Sequence, residues 1–307
     1  MRIRSHCTGH FPHIRYSDGQ RLLYHTVAGK WLADRPEERV RLRSIDYLVQ
    51  GDAWPVSHIA TEKGSTTKGE LGSGRVDILL YNKELVPTVL IECKAPTVAI
   101  TQQTSLQIAR YNAEIHAPIL CMTNGLVDFW YIHEEGELRP VGEIPPLLRS
   151  RKPFIPDMGY WVSTGFAGIE TTTDKGLADM LGVWFTGEAA QNLISLNPGL
   201  EGTVAGMSHY YQVVQEKGMP VKLAFTVVSP DGNSTVLTVI RNVNGRNEAV
   251  LFLPLDAVYL GKETRYRLLR ASSDSERHLP EHMIEYLLDP DDAYRRLPVM
   301  LDDLFTL

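Results

Sequence analysis

The sequence predicts a two-part chain: a mixed α/β half, then an α+β half with an antiparallel meander. Three observations predict it. The 307 residues exceed what one small hydrophobic core usually serves, so two domains are expected. Runs with helical spacing alternate with short apolar, strand-like runs up to about residue 135. The stretch from Pro145 to Pro156 then carries four prolines and the basic residues Arg149, Arg151 and Lys152, which discourage regular structure. The expected domains are residues 1–155 and 156–307.

The first half reads in order. Pro36 suits the first position of a helix, with Asp34 nearby as a cap, and Val40, Leu42, Ile45, Leu48 and Val49 recur at helical spacing to about Gln50. Residues 56–62 have strand character. A Gly-rich loop, Gly64 to Gly74, leads into the apolar run Arg75 to Tyr81, and a turn from Asn82 to Pro87 returns the chain through Thr88 to Lys94. That is a hairpin signal with a longer loop. Helical spacing resumes at Leu106, Ala109, Arg110 and Ala113. Strand-like runs follow at Pro118 to Thr123 and Val127 to Ile132, around a turn at Asn124-Gly125. In the second half, residues 220–229, 234–243 and 248–254 read as successive strands. Asp231-Gly232-Asn233 and Asn244-Gly245-Arg246 are their turns, with helical patches at 174–184 and 281–288.

Composition excludes several classes. A hydrophobic fraction of 43% with 22% charged residues is that of a globular chain, not a disordered or collagenous one. No apolar run approaches the roughly 18 to 20 residues needed to span a bilayer, so no membrane partner is expected. Met1-Arg2-Ile3-Arg4-Ser5-His6 has no apolar stretch behind its charges, which argues against a secretory signal. Cys7, Cys93 and Cys121 are odd in number and far apart. They make no disulfide framework and fit a reducing, cytoplasmic location. The net charge of −6 is unevenly placed: residues 1–155 hold 19 Lys+Arg against 17 Asp+Glu, and residues 156–307 hold 12 against 20. The first half is near neutral, so local basic patches for nucleic acid remain open to it.

The chemistry is concentrated at Asp77 and, after fourteen residues, Glu92-Cys93-Lys94. Strand alternation places Glu92 and Lys94 on one face and Cys93 on the other. Closing the hairpin brings Asp77 roughly opposite residues 92–94, near enough for the two carboxylates to share a site. Two converging carboxylates repel each other and favour a hard divalent cation, Mg²⁺ or Mn²⁺. A lysine beside them is placed to orient a water and to steady charge developing on a phosphate. Both strands are otherwise apolar, and charges in such runs cost free energy unless paired or metal-bound. The bland alternative is a solvated Glu92–Lys94 pair on an edge strand with Asp77 an unrelated surface charge.

These residues do more than satisfy a template. Arg35-Pro36-Glu37-Glu38-Arg39-Val40-Arg41, Gly74-Arg75-Val76-Asp77-Ile78-Leu79-Leu80-Tyr81, Val89-Leu90-Ile91-Glu92-Cys93-Lys94-Ala95-Pro96, Gln107-Ile108-Ala109-Arg110-Tyr111-Asn112 and Thr123-Asn124-Gly125 occur in collinear order. Together, over about residues 10–135, they resemble the N-terminal nuclease domain of type I restriction enzyme R subunits, within the PD-(D/E)xK nuclease superfamily. The resemblance is closest to short, free-standing versions. It implies a restriction-endonuclease-like mixed sheet flanked by helices. It also implies Asp77 and Glu92 as metal ligands, Lys94 as the catalytic lysine, Gln107 and Tyr111 as a Q-x3-Y element, and a glutamate on the first helix. Glu37 is the preferred match for that glutamate, because Arg41 follows it by one turn, and Glu38 is the alternative. A first-turn acid favoured by the helix dipole would explain either residue without a role.

The chain also departs from that family. A complete R subunit carries an ATP-driven motor, but no G-x-x-x-x-G-K-[ST] run exists here, so no ATP is expected. Lys68 is misplaced in its Gly-rich loop for cradling phosphate. Arg41, Arg75 and Arg110, with Tyr111, are the expected nucleic-acid contacts, and Arg35, Arg39 and Arg43 lie about the first helix. Against this, a solvated helix face is an equal account of those arginines.

Other groups carry weaker signals. Cys7, His10 and His13 offer soft ligands at spacings of three, without an evident fourth. His6, His25 and His58 add no recognisable spacing. Cys93 and Cys121 read as core thiols. Glu62 could approach the metal site, Phe129-Trp130-Tyr131 would divide between core and surface, and the acidic, leucine-bearing C-terminus reads as a helix packed on its own domain. The expected function is a Mg²⁺-dependent endodeoxyribonuclease acting on DNA in restriction or defence. Restriction-system proteins or a second copy would be its partners, and the acidic residues 156–307 would have a specificity, regulatory or oligomerisation role. The alternative is a catalytically weak nucleic-acid-binding or assembly module that keeps the nuclease fold.

Overall fold

The computed structural model describes residues 1–51, 53–64, 75–134, 136–151, 154–196, 209–215, 220–262 and 264–306; the side chains of residues 62–64, 75, 102–107 and 290–295 lie outside that description. The chain falls into two compact units. One holds Met1–Pro12 and Leu23–Phe154, the other His13–Leu22 and Ile155–Leu307.

Up to residue 141 the elements are β1 (Arg2–Arg4), β2 (His13–Ser17), β3 (Gln20–His25), β4 (Lys30–Ala33), α1 (Pro36–Gln50), β5 (Ile59–Gly64), β6 (Arg75–Tyr81), β7 (Pro87–Cys93), α2 (Gln102–Ile115), β8 (Ile119–Thr123), β9 (Val127–Glu134) and β10 (Glu137–Val141). Seven strands form one mixed sheet in the order β1-β9-β8-β7-β6-β5, with β10 paired on β9. Only β7 and β8 run parallel, Ile91 opposite Cys121, because α2 connects them; a parallel pair needs a crossover of a dozen or more residues. Strands β6 and β7 are an antiparallel hairpin in the register Ile78 to Ile91 and Leu79 to Leu90. Helices α1 and α2 both pack on β7. One side of the sheet buries Leu79, Leu90, Leu120 and Met122 together with Ile108 of α2. Helix α1 buries Val40, Leu42, Ile45 and Leu48, the residues at helical spacing.

Local chemistry moves some boundaries. Arg35 occupies the N-cap of α1 without a side-chain cap bond, because Asp34 is taken by Arg39, at 2.5 Å from Nε and 2.9 Å from Nη2. Residues 56–58 form a 3-10 turn after Pro55, so the strand expected over 56–62 begins at Ile59. The proline-rich stretch contains a second such turn, Pro146–Leu148. Leu148 is buried and its carbonyl accepts from the Tyr47 hydroxyl at 2.8 Å.

The second unit continues with α3 (Met158–Ser163), α4 (Lys175–Phe185), β11 (Ile194–Leu196), β12 (His209–Val214), β13 (Val221–Val228), β14 (Val236–Val243), β15 (Arg246–Pro254), α5 (Leu255–Tyr259), β16 (Arg265–Arg270), β17 (Ser273–His278), α6 (Glu281–Leu288) and α7 (Pro290–Thr306). Strands β11 to β17 form a seven-stranded sheet in sequence order, every neighbour antiparallel. The β14–β15 turn has φ of 50° at Asn244 and 83° at Gly245, the paired positive φ of a two-residue hairpin. Helix α7 buries Leu297, Leu301, Leu304 and Phe305, as expected of a C-terminal helix packed on its own domain. Among the described residues no helix is long and apolar enough to cross a membrane.

Candidate functional site

The hairpin register carries Asp77 and Glu92 to the same end of β6 and β7, one residue beyond the Ile78–Ile91 pair. There the Cys93 amide donates to Asp77 Oδ2 at 2.7 Å, and Lys94 Nζ donates to Glu92 Oε1 at 2.7 Å. Glu92 is 3% exposed. The segment after β7 is pinned from β8 and its turn: the Lys94 amide donates to the Thr123 carbonyl at 2.8 Å, and Asn124 Nδ2 to the Val98 carbonyl at 3.1 Å. The Thr123-Asn124-Gly125 run therefore braces the site. Asn112 closes α2 in the same manner, accepting from the Ala117 amide at 2.8 Å and donating to its carbonyl at 3.0 Å.

The charges interact strongly. Burial, with the Asp77 charge added, pushes Glu92 up to about 7 against the pull of Lys94. Burial also raises Asp77, opposed by the Cys93 amide, Arg41 and Lys94 and reinforced by Glu37. Burial alone would lower Lys94, but the Glu92 hydrogen bond and the charges of Glu92, Asp77 and Glu37 outweigh it and raise the ammonium's pKa. Lys94 is thus a cation and a donor at neutral pH.

The two acids of α1 have different placements. Glu37 acts by charge on Asp77, Glu92 and Lys94. Glu38 instead binds Arg41, whose Nη1 lies 3.6 Å from Asp77 Oδ1. Arg41 is 5% exposed, so this guanidinium serves the Asp77 carboxylate instead of facing an external phosphate. Arg43 is also buried. It donates from Nε to the His10 carbonyl at 2.8 Å and from Nη2 to the Cys7 carbonyl at 3.1 Å, clamping α1 to the N-terminal segment. Arg39 is held by Asp34. Arg110 is exposed on α2, and Tyr111 is half-buried against the apolar side of the sheet. Gln107 lies in α2 and Arg75 opens β6, but their side chains, like that of Glu62, lie outside the described residues, as does the loop bearing Lys68. Trp130 is buried, and Phe129 and Tyr131 are half-buried against the apolar cluster on the other face, so the run divides between two packed faces and not between core and surface.

Asp77 and Glu92 fit a hard cation. Their donors are all oxygen, both carboxyls are raised by burial, and a third acidic charge, Glu37, is felt at both. A second polar assembly lies elsewhere in the unit. His6 Nδ1 is 2.6 Å from Asp128 Oδ2 and His10 Nδ1 is 2.8 Å from Asp46 Oδ2, with the Tyr47 ring edge-on to both imidazoles. His10 is thereby engaged with Asp46, and the described residues assemble no ligand set from Cys7, His10 and His13. Sequence reasoning passed over Asp128. The signal was there: a carboxylate inside the apolar run Val127 to Ile132, the mark that singled out Asp77.

Residues 36–145, from the first turn of α1 to just before the Pro146 turn, match the family model described as type I restriction enzyme R protein N terminus. The matched segment contains Asp77, Glu92 and Lys94. No curated protein and no solved structure matches the chain.

Proposed function

We propose that the first unit is a divalent-metal-dependent nuclease of the PD-(D/E)xK type that hydrolyses DNA within a restriction system. The observation that carries this reading is the convergence of Asp77, Glu92 and Lys94 at one end of a buried hairpin, inside the segment that matches the restriction-enzyme family.

Asp77 and Glu92 would hold Mg²⁺ or Mn²⁺. When bound, the cation supplies Lewis-acid stabilisation of a phosphate oxygen and a more acidic water. The chain's own groups do the positioning. The Cys93 amide fixes one Asp77 oxygen, and Arg41 stands over the other. Glu92 fixes the Lys94 ammonium, which stays protonated and so acts as a donor to the water and to the developing negative charge, not as a base. Glu37 keeps the local potential negative, favouring cation entry.

The test is incubation of the purified chain with linear and supercoiled DNA in Mg²⁺, Mn²⁺ or EDTA, beside Lys94→Ala. Cleavage should require the metal and fall at least about 100-fold in the variant. If DNA is bound but not cut under any metal by a folded chain, a binding or assembly module replaces the nuclease reading. Metal-dependent cleavage that survives Lys94→Ala would remove Lys94 from the mechanism.

A further inference from the structure

All three cysteines are buried, and the proposed hydrolysis uses no thiol. Cys121 of β8, Asp128 of β9 and His6, two residues beyond β1, bring a thiol, a carboxylate oxygen and a ring nitrogen within 4.8 Å of one another. The arrangement is well ordered by its neighbours. Asp128 Oδ2 accepts from the His6 amide at 2.8 Å, from the Trp130 indole at 3.3 Å, and lies 2.6 Å from His6 Nδ1. His6 is 5% exposed, and its other ring nitrogen, Nε2, is buried with no hydrogen-bond partner.

An ordinary buried His–Asp pair accounts for one ring nitrogen only. It does not explain the thiol that converges on the pair. His6 Nδ1 and Asp128 Oδ2 already converge at 2.6 Å, so an ion drawing on both together with the Cys121 sulfur would replace that hydrogen bond. Nitrogen and sulfur donors with one oxygen select a zinc-class cation over Mg²⁺.

We propose that His6, Cys121 and Asp128 form a structural site for a zinc-class divalent cation within the first unit, additional to the Asp77–Glu92 site. On binding, the Cys121 thiol loses its proton to solvent and the sulfur becomes a thiolate ligand. The cation would tie β8 and β9 to the segment after β1 in the core of the unit.

The full chain, purified without chelator, tests this by metal analysis and by substitution with Co²⁺. Roughly one equivalent of zinc per chain should survive dialysis. The Co²⁺ form should show a thiolate-to-cobalt charge-transfer band. Cys121→Ser, which keeps the size and removes the soft donor, should abolish the band and weaken zinc retention at least about tenfold. Asp77→Ala should retain both, which separates this site from the proposed nuclease site. A wild-type chain that holds no zinc and shows no cobalt–thiolate band overturns the proposal, whether or not the variants fold. A band that persists in folded Cys121→Ser overturns it equally.

Discussion

Glu92 is the residue through which pH acts on the candidate site. Its usual value of 4.5 is pushed up to about 7, chiefly by burial and then by Asp77. A raised carboxyl binds protons more tightly folded than unfolded, so its contribution to stability is fully present below the unfolded value and is lost as pH rises through about 7. The amount at stake is roughly 3 kcal/mol. In EDTA, the unfolding free energy of the wild-type chain should therefore fall between pH 4.5 and 8 relative to Glu92→Gln, which cannot ionise; saturating Mg²⁺ should flatten the difference. Parallel pH profiles from urea titrations of the two proteins would show that Glu92 does not titrate abnormally. Asp77, Glu92 and Lys94 were legible because charges inside apolar strands announce themselves. Arg41 and Arg43 were not, since a helix read alone looks basic on one face and does not reveal that Glu38, Asp77 and the carbonyls of Cys7 and His10 lie opposite.

Among the elements around the candidate site, the β8–β9 turn requires a glycine. Gly125 has a φ of 77°, and a Cβ there would meet Val40 Cγ2 at 3.1 Å and Arg43 Nη1 at 3.2 Å. Gly125→Ala should cost about 1–3 kcal/mol through the backbone conformation, with crowding of the Arg43 clamp besides. Urea unfolding would measure the loss, and a variant as stable as wild type would show that the turn relaxes freely. This turn, the β6–β7 hairpin and helix α1 could be read from the sequence because each is specified by its own residues: Asn-Gly at the turn, paired apolar runs, apolar residues at helical spacing. Strands β1 to β4 and β10 could not. β1 is the three residues Arg2–Arg4, and its partner is β9, with Arg2 opposite Phe129; no local pattern encodes that pairing. The grouping of His13–Leu22 with residues after Ile155 is equally non-local.

At the scale of the molecule, the decisive quantity is where positive charge remains available to DNA. The chain carries −6 overall, and its first 155 residues hold only 19 Lys+Arg against 17 Asp+Glu. Several of those cations are committed internally: Arg39 to Asp34, Arg41 to Glu38 and Asp77, Arg43 to backbone carbonyls, Lys94 to Glu92. Exposed Arg110 on α2 is open to phosphate. Under the nuclease reading, duplex affinity draws on the cations not so committed, and each phosphate contact contributes about −0.9 to the slope of log K against log salt. The slope between roughly 50 and 200 mM salt, measured by fluorescence anisotropy with a labelled duplex in Ca²⁺ to hold off cleavage, counts the phosphates that are neutralised. Arg110→Ala should make it shallower by about 0.9. A slope unchanged by Arg110→Ala would leave the duplex approach to elements other than α2.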